Sequence, residues 1–282
     1  MRIYETISDI RQQIKAARAS GKTVGFVPTM GYLHEGHISL IQQARKENDL
    51  VVVSIFVNPT QFGPTEDFSS YPRDLERDSQ LCEAAGTDLI FHPTPEIMYP
   101  TNSSTTVSVE GLTEGLCGAS RPGHFTGVAT VVAKLFNIVS PDRAYFGQKD
   151  AQQVAVLERM TRDLNFDIQI VACPIVRETD GLAMSSRNTY LVGEERQAAL
   201  VLSKSLQLAR TLIDGGERSA ASLHEKMKAF IEAEPLAKID YIEIVSSETL
   251  KPIQVLKGDI LVALAVKVGK PRLIDNMRLL ID

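Results

Sequence analysis

Apolar positions in the first 176 residues follow two rhythms that take turns along the chain. Unbroken or alternating apolar runs over residues 23–28 (TVGFVP), 50–58 (LVVVSIFVN), 88–93 (DLIFHP), 143–147 (RAYFG) and 167–173 (DIQIVAC) predict strands. Between them, residues 37–47, 73–85, 125–139 and 150–162 space their apolar side chains as helices do, and Ile10, Ile14 and Ala17 predict another helix near the N-terminus. The run over 50–58 is apolar throughout, as a strand covered on both faces must be. Strands that alternate with helices in this way predict a parallel sheet wound on both sides.

Beyond residue 176 the order changes. Helices over 193–213 and 219–234, separated by Gly215 and Gly216, precede strands over 239–245, 260–269 and 271–280. The predicted architecture is α/β: a Rossmann-like doubly wound parallel sheet over residues 1–176, and a smaller C-terminal α+β domain over 177–282. Residues 111–127 (GLTEGLCGASRPGHFTG) carry five glycines and one proline and predict a long irregular loop. Residues 63–74 (GPTEDFSSYPRD) predict a polar surface loop next to Gln61, expected to order when a ligand binds.

Composition narrows the function classes. The 282 residues, 44% of them hydrophobic, suffice for a sizeable core, and a net charge of -5 argues against a broad basic surface for nucleic acid. No apolar run reaches the roughly 18 residues of a membrane helix, and the N-terminal segment mixes charges where a signal peptide would be apolar. Cys82, Cys117 and Cys173 form neither a CxxC pair nor a disulfide framework, so a reducing, cytoplasmic setting is expected. Small-molecule partners gain weight over nucleic acid and membrane.

The GKT at residues 21–23 is not a phosphate loop: Ala16 stands where the first glycine belongs, and the segment follows a helix and precedes a strand. The stretch VPTMGYLHEGHISLI at residues 27–41 has the required topology, a strand running through glycines into a helix whose N-terminus favours phosphate. His34 and His37 stand at its mouth, where both can donate to phosphate oxygens; a surface pair or two metal ligands are the competing readings. No supporting ligand cluster accompanies them, so no protein metal site is expected. Polar clusters follow two other strands, NPTQF after 50–58 and GQKD after 143–147, and strand ends of one open sheet share an address. There Lys149 offers a cation for phosphate, Asp150 an acceptor for ribose hydroxyls, and Gln61 and Gln153 neutral amides for a polar substrate. MSSRN at residues 184–188 adds two hydroxyls and a guanidinium that suit a pyrophosphate leaving group.

PTMGYLHEGH, FVNPTQF, RPGHFTGV, FGQKDAQQ and MSSRN together resemble, in order and spacing, the pantothenate synthetases, which ligate pantoate and β-alanine. The first motif is similar to the HxGH signature of adenylate-forming nucleotidyltransferases, and MSSRN stands where related synthetases carry KMSKS, with Arg187 in place of a lysine. The resemblance implies that ATP and pantoate form pantoyl adenylate and pyrophosphate, after which β-alanine displaces AMP. It implies ATP contacts at Met30, Gly31, Tyr32, Leu33, His34, Glu35, Gly36 and His37, at Gly147, Gln148, Lys149 and Asp150, and at Val176, Met184, Ser185, Ser186 and Arg187. His34, His37, Lys149 and Arg187 would be the catalytic donors, Gln61 and Gln153 would hold pantoate, and Gln61 would also meet β-alanine. Mg2+ would accompany ATP as counter-ion, and a homodimer is implied. Asn58, Arg121 and His124 fall in the motifs without an assigned role. A nucleotidyltransferase without an amine-dependent step, and a nucleotide sensor without turnover, are the alternatives that product analysis would separate.

Overall fold

The computed structural model describes residues 1–64 and 66–282; Thr65, within the 63–74 segment expected to order on binding, lies outside the described residues. In chain order the elements are β1 (Arg2–Tyr4), α1 (Ile7–Ala19), β2 (Val24–Thr29), α2 (Glu35–Glu47), β3 (Leu50–Ile55), α3 (Leu75–Ala85), β4 (Leu89–Phe91) and α4 (Pro95–Met98). Next come α5 (Leu116–Ser120), α6 (His124–Val139), β5 (Arg143–Gly147), α7 (Ala151–Asp163) and β6 (Gln169–Cys173). The C-terminal part holds α8 (Glu194–Ala198), α9 (Val201–Asp214), α10 (Ala220–Glu232), β7 (Ala237–Ser246), β8 (Gly258–Val268) and β9 (Arg272–Ile281). Contacts divide the chain into two compact units: Met1–Val109, Arg121–Gln148 and Val156–Pro174 in one, Glu110–Ser120, Lys149–Ala155 and Ile175–Asp282 in the other.

The first unit is built on a six-stranded, all-parallel sheet in the order β1-β4-β3-β2-β5-β6. Val24, Phe26 and Val27 of β2 and Val51, Val52 and Val53 of β3 are fully buried, which explains why neither central strand alternates apolar with polar positions. β2 pairs with β3 on one side and with β5 on the other, so the winding reverses beside it. That reversal is where an open α/β sheet leaves a crevice at its carboxyl edge. β1 went unread in the sequence: three residues cannot display a period, and its pairing of Arg2, Ile3 and Tyr4 with Leu89, Ile90 and Phe91 is a long-range contact.

α6 packs close to the 3-10 turn at Pro59–Gln61, and a glycine makes this possible. A Cβ on Gly127 would stand 2.4 Å from the Thr60 carbonyl oxygen, 2.6 Å from its carbon and 2.7 Å from Gln61 Cα. Alanine would raise helix propensity by about 1 kcal/mol. Overpacking against backbone atoms that cannot rotate away costs about 1–3 kcal/mol. Gly127→Ala is therefore expected to lower the melting midpoint in calorimetry; an unchanged or higher midpoint would mean that the turn yields at no cost.

The second unit centres on the antiparallel sheet β7-β8-β9, against which Leu202, Leu206, Ala209 and Ile213 of α9 and Leu223, Met227 and Ile231 of α10 bury their apolar stripes with Ile260, Val262, Leu264 and Val266 of β8. The single helix predicted over 193–213 is two, because Leu200 N–H bonds to the Gln197 carbonyl and Leu202 N–H to that of Ala199, a 3-10 joint inside an apolar pattern that stays in phase. The predicted loop over 111–127 contains α5 and the start of α6. Buried Gln152 donates from Nε2 to the carbonyls of Leu112 (2.9 Å) and Gly115 (2.8 Å). Among the described residues no helix is long and apolar enough to cross a membrane.

Candidate active site

The turn after β2 is held at nearly every amide. Thr29 Oγ1 donates to the Ser54 carbonyl (2.8 Å) and accepts from Gly31 N–H (3.1 Å). Gly31 (φ 81°) and Tyr32 (φ 50°) then take successive left-handed conformations, which swing the chain away from the strand. The helix begins at Glu35, two residues before the start predicted from the sequence, because His34 is its N-cap. His34 Nδ1 accepts from Gly36 N–H (3.1 Å), and His37 Nδ1 accepts from His34 N–H (3.3 Å). An imidazole capping box of this kind is invisible to a search for Ser, Thr, Asp or Asn.

The box fixes chemistry as well as backbone. A neutral imidazole whose Nδ1 accepts carries its proton on Nε2, so both rings, with centroids 4.1 Å apart, are Nε2–H donors. Two amides of the first turn are already engaged, Gly36 N–H by His34 Nδ1 and His37 N–H by the His34 carbonyl at 2.8 Å. Donation to an incoming anion thus falls more to the imidazoles than to those amides. Met30, Tyr32, Gly36 and His37 are partly exposed and Glu35 is exposed, whereas the Leu33 side chain is fully buried in the core. Any role of Leu33 toward a ligand belongs to its main chain.

Gln61 ends the turn that follows β3. Asn58 Nδ2 donates to Gln61 Oε1 (3.1 Å) and to the Gly127 carbonyl (3.1 Å), and Gln61 Nε2 lies 3.0 Å from Met30 Sδ. Asn58 Oδ1 accepts from Thr60 Oγ1 (3.0 Å) and from the Tyr99 hydroxyl (2.8 Å). The ends of β2 and β3 are thereby in direct contact, as their shared address at the carboxyl edge required. Gly147 ends β5, the other neighbour of β2, and Gln148 follows it.

The same geometry gives roles to Arg121 and His124. His124 Nδ1 donates to the Gln61 carbonyl (2.8 Å), and its Nε2 accepts from Arg121 Nη1 (2.9 Å). Arg121 forks onto Glu66 through Nε (2.7 Å) and Nη2 (2.6 Å). RPGH is thus a clamp on the main chain of Gln61. The described part of 63–74 is also more anchored than its polar composition suggested: Tyr71 is buried, and Phe62 meets Phe68 and Tyr71 edge-on.

Hydrogen bonding from Arg121 holds the Glu66 carboxyl below the usual glutamate range, with burial opposing it. A carboxylate whose folded pKa is depressed stabilises the fold above its unfolded pKa and loses that contribution as pH falls through the folded value. The clamp should therefore survive mild acid. Carbon-13 titration is expected to show Glu66 protonating below ordinary exposed glutamates, and Arg121→Ala is expected to return it to their range; coincident titrations would dissolve the clamp.

The 3-10 turn Gln148–Asp150 follows β5, and from Lys149 on it belongs to the second unit, where Lys149 Nζ lies 3.8 Å from Asp150 Oδ2 and the Lys149 carbonyl accepts from Asn276 Nδ2 (2.8 Å). Gln153 is partly exposed on the first turn of α7. Val176 and Met184 are brought together by a hairpin: Met184 N–H bonds to the Val176 carbonyl (3.0 Å), Arg177 bridges Ala183, and Arg177 forks onto Asp275 at 2.7 and 3.0 Å. Ser185 then caps a 3-10 turn, accepting from Arg187 N–H (3.3 Å), while Asn188 Nδ2 ties the segment to Glu178 Oε1 (2.6 Å). Met184, Ser185, Ser186 and Arg187 are all partly exposed. Among the described residues no group of three or more His, Cys, Asp or Glu side chains can hold a metal ion.

A doubly wound sheet with donors gathered at the carboxyl edge beside its reversal defines an α/β protein of the nucleotide-binding class. The family model for pantoate-beta-alanine ligase matches residues 2–278, and the chain belongs to that family. It is 61% identical to the pantothenate synthetase of Heliobacterium modesticaldum over 98% of this chain and 99% of the relative. The crystal structure of pantothenate synthetase from Thermus thermophilus superposes with a TM-score of 0.94 at 49% identity, covering 98% of this chain and 99% of that one. The pantoate-beta-alanine ligase of Francisella tularensis, solved with beta-gamma ATP and beta-alanine, superposes at 0.80 with 36% identity over 98% and 97% of the two chains.

Proposed function

We propose that this ligase condenses pantoate with β-alanine at the expense of ATP, through pantoyl adenylate. Pantoate's carboxylate oxygen attacks the α-phosphorus and the bond to pyrophosphate breaks. The β-alanine amine then attacks the acyl carbon, the carbon–nitrogen bond forms, and AMP leaves with the former carboxylate oxygen. A carboxylate is a poor electrophile, and adenylation turns its oxygen into a good leaving group. The observation that carries the reading is the His34–His37 box at the end of β2, whose Nδ1 atoms both accept backbone N–H groups, which supports a role for the two Nε2–H groups as donors to the phosphates.

In this reading Lys149 and Arg187 supply cations to the phosphates, with Ser185 and Ser186 as further donors. Met30 to His37, Gly147, Gln148, Asp150, Val176 and Met184 bind ATP. Gln61 and Gln153 hold pantoate, and Gln61 also lies near β-alanine. Residues 1–176 are assigned nucleotide and pantoate binding, and 177–282 a smaller lid domain carrying the MSSRN segment. Mg2+ arrives with the ATP phosphates as part of the substrate. The enzyme works as a cytoplasmic homodimer, which sedimentation would test.

Supplied with ATP, pantoate and β-alanine, the protein is expected to release AMP and pyrophosphate in step with pantothenate. ADP and phosphate would overturn the adenylate route. Pyrophosphate without dependence on the amine would reduce the activity to nucleotidyl transfer.

A further inference from the structure

We propose that Asp78, on α3, is a positioning residue for adenylate formation: its carboxylate fixes the two residues that precede His34 and so sets the histidine pair. The inference rests on the reaction proposed above. Asp78 is 1% exposed, accepts from Tyr32 N–H through Oδ2 and from Leu33 N–H through Oδ1, both at 2.7 Å, and has Arg77 Nη1 3.6 Å from Oδ1. The Arg77 guanidinium also lies over the Tyr32 ring, 5.3 Å from its centroid.

A water-filled turn would satisfy two amides without burying a charge, and burying a carboxylate is costly unless its bonds are good. Charge-assisted bonds of this length hold an amide far more firmly than water does. The fit is close: a Cβ on Gly31 would lie 2.9 Å from Asp78 Oδ2, so glycine is required where the carboxylate closes on the turn. The consequence reaches the histidines within one residue, because Leu33 precedes His34, whose N–H holds the His37 ring. Burial pushes the Asp78 carboxyl above the usual aspartate range, and the Leu33 and Tyr32 amides with Arg77 offset only part of that rise. Asparagine at this position has the same shape, accepts at one atom only, and turns an NH2 toward the other amide.

Asp78→Asn is expected to slow pantoate-dependent exchange of labelled pyrophosphate into ATP, which reads adenylation alone, by about 10- to 100-fold, the scale of a small misplacement of catalytic groups. Amide formation from supplied pantoyl adenylate should change by less than about 3-fold, since it needs no donor to a developing phosphorane. Equal losses in both steps would make Asp78 an ordinary support of the fold, and exchange matching the unaltered protein would overturn its role altogether. Absence of pantoate-dependent exchange in the unaltered protein would instead count against the reaction itself, and with it against a part for Asp78 in its first step. Should the variant not fold, hydrogen exchange of the unaltered protein decides: the Tyr32 and Leu33 amides are expected to be as protected as those of β2, and rapid exchange there would overturn the anchoring.

Discussion

His37→Ala should slow adenylate formation by about 10²- to 10³-fold, the usual loss when one preorganised donor to a developing oxyanion is removed. The two steps should separate, because the second expels AMP without a pentacoordinate phosphorus. With pre-made pantoyl adenylate and β-alanine, the variant is expected to keep most of its amide-forming rate. Single-turnover quench, following pyrophosphate in one step and pantothenate in the other, reads both. The structure adds a confounding effect that can be sized. His37 Nδ1 also accepts from His34 N–H, so the alanine variant loses half of the capping box. Loss of a cap costs about 0.5–2 kcal/mol of stability, against about 2.7–4 kcal/mol for the lost donor. His34 still caps through Gly36 N–H, so the helix should persist and the rate effect should dominate. Equal slowing of both steps would recast His37 as part of the scaffold.

Gln61→Ala should weaken pantoate binding by about 5- to 150-fold, from a cost of roughly 1 to 3 kcal/mol for substrate polar groups left unpaired. ATP affinity should change little, since a neutral amide suits hydroxyls and a carboxylate better than a polyphosphate. The amide of Gln61 is held at one end by Asn58 Nδ2, while Nε2 faces Met30 Sδ, a weak acceptor that a substrate oxygen would readily replace. In the alanine variant Asn58 Nδ2 keeps the Gly127 carbonyl, and His124 keeps the carbonyl of residue 61, so the turn itself should survive. Gln153→Ala is expected to show the same division between ligands. Titration calorimetry giving equal losses for pantoate and ATP would remove these residues from pantoate recognition.

Sequence alone determined whatever depends on neighbours in the chain. β5 occupies the residues 143–147 that its apolar run predicted, and β2 and β3 were legible because a strand buried on both faces must be apolar throughout. The parallel sheet, the three C-terminal strands and the location of motifs after β2, β3 and β5 followed from periodicity and chain order, while the antiparallel pairing of those last strands is a finding of the structure. Tertiary structure decided what joins distant residues. β1 exists through pairing with β4, the histidine cap through ring orientations that no cap preference encodes, and the clamp on Gln61 through Glu66, Arg121 and His124 meeting from separate segments. Asp78 drew no reading from the sequence; only packing beside the turn after β2 turns it inward, to amides 45 and 46 residues away. Apolar spacing records which face of an element is buried, over intervals of two to four residues. It carries no information on which buried polar group will meet which amide, because strand order and close packing set that choice.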